Sequence, residues 1–197
     1  FVGSFGDFGT FSFQAIKHIT TIDGGMLIIK RKSLVERAKR LRWFGLTKGI
    51  PRNKNNITEL GYKYNMTNVS AVIGLEQLKE FNKLIESHKK NAKYFNEAFS
   101  NIKDIKAATI IKKSDPSYWI YTILSEKSDK IIKNLQKHGI SASKLHYPNH
   151  LHSIFNKKNT TLDGLENFYR KLVHIPCGWW LSKNDLKKIV DIVVSKT

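Results

Sequence analysis

The sequence predicts an α/β fold, and two observations carry that prediction. Short, β-rich apolar runs alternate with stretches whose apolar residues recur at helical spacing. One long amphipathic stretch interrupts the alternation, which then resumes. Residues 8–14 and 25–30 read as strands flanking a loop. Residues 33–44 read as a helix, because Leu34, Ala38 and Leu41 share one face. Residues 45–56 form a polar loop containing Gly and Pro.

Residues 67–99 predict one long helix. Its stripe is Val69, Val72, Ile73, Leu75, Leu78, Phe81, Leu84 and Ile85, continued by Ala92, Phe95, Ala98 and Phe99. A helix of this length suits a bridge between domains or a dimer interface. The domain division is therefore placed inside it, giving residues 1–86 and 87–197. Beyond it, residues 105–111 and 118–124 read as strands. Residues 128–138 read as a helix closed by Gly139, a residue suited to the left-handed position after a helix. Residues 140–147 read as a further strand. Residues 182–195 read as a closing helix, with Ser182 as N-cap and Asp185 placed to complete a capping box.

Composition bounds the rest. A chain of 197 residues suffices for one large or two small domains. No run of 18 or more apolar residues occurs, so no transmembrane helix is expected. The start, Phe1-Val2-Gly3, has neither an initiator Met nor a signal-peptide pattern. A single cysteine, Cys177, excludes an internal disulfide and fits a reducing, cytoplasmic setting. Lys and Arg number 34 against 16 Asp and Glu, a net charge of +18. The lysines are scattered, in clusters such as Lys30-Arg31-Lys32, Lys89-Lys90, Lys112-Lys113, Lys157-Lys158 and Lys187-Lys188. No nucleic-acid-binding motif accompanies the charge, so nucleic acid is not the expected partner.

Lys17 stands out by its context. Phe11-Ser12-Phe13 leads in, and Thr20-Thr21, Asp23 and Gly24-Gly25 lead out to the apolar run Met26–Ile29. A lysine between two strands is partly screened from water, and desolvation favours the neutral, nucleophilic amine. In a chain this rich in lysine, composition alone reads it as a surface loop residue. Other motif matches fail. Asp7-Phe8-Gly9 lacks the catalytic loop of a kinase. Gly3, Gly6 and Gly9 lack the spacing of a dinucleotide fingerprint. His146, His150 and His152 have no nearby carboxylate or thiol to complete a metal site. Arg42-Trp43-Phe44-Gly45 fits either a helix end with buried aromatics or a loop near a nucleotide.

Three ordered segments carry a resemblance spanning nearly the whole chain. Gly6-Asp7, Phe11-Ser12-Phe13, Lys17, Thr20-Thr21, Asp23 and Gly24-Gly25 form the first. Gly61-Tyr62-Lys63-Tyr64-Asn65-Met66-Thr67, then Ala71, Ile73-Gly74-Leu75 and Gln77-Leu78, form the second. His146-Tyr147-Pro148-Asn149-His150-Leu151 forms the third, and Ile175-Pro176 and Leu181-Ser182 follow it. Together they resemble the later half of the DegT/DnrJ/EryC1/StrS aminotransferases, which act on nucleotide-linked keto sugars with pyridoxal 5′-phosphate (PLP).

The resemblance implies a fold-type-I transferase. Residues 1–86 would be the last part of the large PLP-binding domain, and residues 87–197 the small α+β domain. It implies Lys17 as the cofactor lysine and Ser12 as a phosphate ligand. By alternation with Phe11 and Phe13, Ser12 is also simply the polar face of a strand. Asp23 stands where family members more often have Glu, which keeps the charge and shortens the reach. Lys63 stands at the family's Asn position and Asn65 at its Arg position, so either is the residue expected to reach the phosphate held by the other subunit. Tyr62, His146, Tyr147 and His150 are expected near the sugar or diphosphate.

Glutamate or glutamine is the implied amino donor, a homodimer the implied assembly, and glycoconjugate or polysaccharide synthesis the implied setting. The positive charge fits attraction of a nucleoside diphosphate. The segments that pair with the pyridine nitrogen, stack on its ring and cradle its phosphate have no counterpart here. An incomplete, non-enzymatic form of such an enzyme is therefore one alternative. A sugar dehydratase on the same scaffold is another, although those relatives replace the lysine with His. Strands 8–14 and 25–30 are expected to lack sheet partners and to promote association.

Overall fold

The computed structural model describes residues 1–155 and 161–196, so the Lys157-Lys158 pair lies outside the described residues. The chain divides into two compact units, Phe1–Phe81 and Asn82–Thr197.

In the first unit, strand β1 (Phe8–Ser12) pairs antiparallel with β2 (Gly25–Ile29). Phe8 lies opposite Ile29 and Ser12 opposite Gly25. The expected strands thus pair with each other and, among the described residues, with no further strand, and both are shorter than predicted. Aromatic and branched side chains favour this extended pairing. Phe8, Met26, Leu27 and Ile28 are nevertheless exposed. A short 3-10 turn, Lys32–Leu34, leads into helix α1 (Val35–Leu41). The helix stops short of the expected residue 44 because the chain turns left-handed at Phe44 (φ 54°) and Gly45 (φ 77°). Gly45 is required there: an added Cβ would sit 2.6 Å from the Glu59 carbonyl oxygen.

Helix α2 (Asn68–Phe99) is a single run of 32 residues. The Thr67 hydroxyl accepts from the Ser70 amide at 3.2 Å and caps its start. Its apolar stripe has two fates. Ala92, Phe95 and Phe99 are buried, whereas Val69, Val72, Leu75 and Leu78 are exposed.

In the second unit, β3 (Lys106–Ala107), β4 (Ile120–Leu124) and β5 (Leu172–Pro176) form an antiparallel sheet in that order. Helices α3 (Ser128–Lys137), α4 (Asp163–Lys171) and α5 (Lys183–Val194) complete it. Ser182 and Asp185 form the capping box of α5. Phe95, Phe99, Tyr121, Ile123, Ile131, Leu135, Val173, Ile175, Ile189 and Val193 pack into one core. Tyr121 and Ile123 point inward from β4 at the strand period of two. Among the described residues, every fully buried apolar side chain of the chain belongs to residues 92–193.

Two further expectations need correction, and two elements were not expected. The strand at 105–111 is only two residues long: Ala108 still donates to Thr122 at 3.0 Å, and no strand pairing follows. Residues 140–147 form no strand. Ser143 and His174 make one isolated bridge, after which the Leu145 amide donates to the His174 ring at 3.0 Å instead of to backbone. Helix α4 and strand β5 were not anticipated, because the five-residue run Leu172–Pro176 carries a polar His174 at its centre.

Candidate active site

Lys17 sits, half-buried, on the loop that joins β1 to β2. Backbone bonds close that loop at its base. Phe13 donates to Gly24 at 2.7 Å, and Thr21 donates back to Phe13 at 2.8 Å. The Lys17 amide donates to Gln14 at 2.9 Å, making a turn at the lysine itself. A further bond reaches outside the loop: the Thr20 amide donates to Oε1 of Gln77, on α2, at 2.9 Å. The Thr20 hydroxyl accepts from the Ile22 amide at 2.9 Å. That bond helps hold Ile22 at φ 74°, a conformation costly for a β-branched residue.

Ser12 is the last residue of β1 and is exposed; its Oγ accepts from the Gln14 amide at 3.4 Å. Tyr62, Lys63 and Asn65 lie on the segment that approaches α2. Backbone bonds fix this segment: Tyr62 donates to Leu41 at 2.7 Å and Phe44 donates to Tyr62 at 3.1 Å. The Tyr62 and Tyr64 rings stack, with centroids 5.1 Å apart. Lys63 Nζ donates to Asn65 Oδ1 at 2.7 Å and lies 5.0 Å from the centroid of the Trp43 ring. The two residues expected to reach the other subunit's phosphate are thus bound to each other.

Asn65 and Met66 also line a cavity of about 510 Å³ with Lys39, Arg40, Arg42, Trp43 and Lys48. Its one acidic wall residue, Glu36, is paired with Lys39 at 2.7 Å. Lys39, Arg40, Arg42 and Lys48 make the wall predominantly basic, and Trp43 adds an aromatic ring beside the neutral Leu46, Thr47 and Gly49. Met66 connects this cavity to the lysine loop: a Cβ on Gly24 would lie 3.1 Å from its methyl group. Sequence reading left Arg42 and Trp43 between two interpretations and missed Lys39, Arg40 and Lys48. Their only signal was general basicity.

His146, Tyr147 and His150 belong to the second unit. His146 and Tyr147 are exposed. The Tyr147 ring meets His152 edge-on at 5.1 Å and Tyr169 at 6.3 Å. Both ring nitrogens of His150 are shielded from water and have no hydrogen-bond partner among the described residues. His174 was missed by sequence reading. Burial first, and then the charge of His146, push its ring down to about 4. The neutral ring can therefore accept from Leu145 and hold the start of the His146–His150 segment. Among the described residues, no three or more His, Cys, Asp and Glu side chains gather as a metal site.

Comparison with known proteins places the chain in a family. The model of the DegT/DnrJ/EryC1/StrS aminotransferase family matches residues 1–194. The chain is 27% identical to the UDP-4-amino-4,6-dideoxy-N-acetyl-beta-L-altrosamine transaminase of Campylobacter jejuni, over 98% of this chain and 53% of that protein. It is 30% identical to the GDP-perosamine synthase of Escherichia coli O157:H7, over 80% of this chain and 43% of that protein. The sugar aminotransferase CalS13 of Micromonospora echinospora superposes with a TM-score of 0.92 at 27% identity, over 100% of this chain and 54% of that one. The chain therefore spans about half the length of the relatives it matches. Its α/β architecture is that of the fold-type-I transferases. The chain is a member of the DegT/DnrJ/EryC1/StrS aminotransferase family.

Proposed function

We propose that this chain is the lysine-bearing part of a PLP-dependent aminotransferase. The enzyme moves an amino group from glutamate or glutamine to a keto sugar carried on a nucleoside diphosphate. The observation that carries the proposal is Lys17, half-buried on a loop tied to both strands and to α2. PLP needs an amine to hold its aldehyde and donors for its phosphate. The amine of Lys17 and the exposed hydroxyl of Ser12, one at each end of the same short segment, fit that need.

When bound, the cofactor supplies an electron sink. The protein does the rest. Lys17 Nζ would be the group that takes the proton from the α-carbon of the donor amino acid and returns one to the accepting side. Arg could not do this, because it stays charged. Ser12 donates to phosphate without adding charge. Lys63 and Asn65, joined at 2.7 Å, present an ammonium and an amide as a unit to a phosphate. The basic cavity beside them suits the diphosphate, with Trp43 as its aromatic wall. Tyr62, His146, Tyr147 and His150 would contact the sugar nucleotide. The domain assignment keeps residues 1–86 with the cofactor and 87–197 as the smaller domain. The whole enzyme would act as a homodimer.

The test is spectroscopic. PLP added to the protein should develop the visible absorption of a lysine-bound cofactor, and L-glutamate should bleach it. A band that forms equally with the Lys17→Arg variant would contradict the proposal.

A further inference from the structure

The lysine loop touches α2 at two places, and neither is explained by making a hairpin. At one, Gln77 Oε1 accepts from the Thr20 amide at 2.9 Å. At the other, Thr21 is wedged between two glycines. A Cβ on Gly74 of α2 would lie 2.8 Å from Thr21 Cγ2, and a Cβ on Gly24 would overlap Thr21 Oγ1. Thr21 is only 2% exposed, and its hydroxyl has no partner among the described residues. A buried, unbonded hydroxyl is costly, so the fit around it is steric rather than polar. The left-handed Ile22 adds strain to the same turn. A bare hairpin would relax such a turn; here an external helix holds it.

We propose that Gln77 is a positioning residue for Lys17. It acts through Thr20, three residues along the loop, and Gly74 supports it by admitting Thr21 against the helix. The bond sets where the lysine amine points, so that the amine is presented from a fixed turn rather than from a mobile one. This inference rests on the cofactor reading of Lys17 for its meaning, but not for its test.

The test compares Gln77→Leu, which removes the acceptor, with Gln77→Glu, which keeps an acceptor oxygen. Two readouts apply to the full chain. Amide hydrogen exchange reports the Thr20 bond. Competitive acetylation across pH, mapped by mass spectrometry, reports the reactivity of Lys17 against exposed Lys187 as internal reference. In Gln77→Leu the Thr20 amide should exchange about tenfold faster, the scale of one lost hydrogen bond, while the β1–β2 amides stay protected. The pH profile of Lys17 acetylation should shift relative to Lys187, and Gln77→Glu should restore it. Faster Thr20 exchange with an unchanged Lys17 profile would overturn the proposal. So would an unchanged Thr20 amide. Neither readout uses PLP, so failure of the cofactor reading would show separately, as absent cofactor absorption in the unaltered protein.

Discussion

A few residues carry most of the chemical argument, and His174 is the one whose behaviour can be worked out furthest. Its ordinary value is 6.5, and in the folded chain burial and the neighbouring His146 charge lower it to about 4. Between those values the unfolded chain takes up a proton that the native one refuses. The contribution of neutral His174 is therefore complete above pH 6.5 and lost as pH falls toward 4, a change of about 3 kcal/mol. Urea unfolding at several pH values should show stability falling through that window. His174→Asn, which can still accept from Leu145, should flatten the slope. His174 was illegible in the sequence because a histidine within Leu172–Pro176 gives no sign of which nitrogen faces which amide. Lys17 could be singled out as a candidate for the opposite reason: its loop is local, and the motif lies in its flanking residues. What ties the loop to α2 was not legible, since Thr20 and Gln77 meet only once the chain has folded back.

The elements show a similar division. Helix α2, α3 and α5 were readable because a 3.6-residue stripe, a capping box or a closing glycine marked each. The short strands were not, because two residues of pairing at β3 leave almost no period to read. Within α2 the stripe is uniform in sequence and divided in structure. Phe95 is wholly buried against Phe99 and Tyr121, whereas Leu75 is 62% exposed. Phe95→Ala should therefore cost about 3–5 kcal/mol in chemical denaturation. Leu75→Ala should stay within about 0.5 kcal/mol in the same measurement. Equal losses would mean that the first half of the helix is as well packed as the second. Periodicity reports which face of a helix is apolar; it cannot report whether that face is covered.

At the scale of the whole molecule, the two units differ in kind. The unit spanning Asn82–Thr197 has a continuous core, whereas the fully buried residues of the other are Gly9, Thr21, Gly45 and Gly74. The candidate cofactor lysine and the basic cavity belong to the unit without a core. The α/β class was legible in the alternation of strand-like and helical runs, and the family in three motifs that fall in order along nearly the whole chain. The basic cavity was not, because its lysines and arginines come together only when α1 and the segment before α2 fold around them. The central claim is that the amine of Lys17, and no other among so many lysines, is the one presented to the cofactor. The measurement that tests it most directly is PLP addition followed by borohydride reduction and peptide mapping of every lysine. Reduced cofactor concentrated on Lys17, and lost in Lys17→Arg, is the predicted result. Cofactor spread evenly over exposed lysines, with Lys17 no more modified than Lys187, would contradict it.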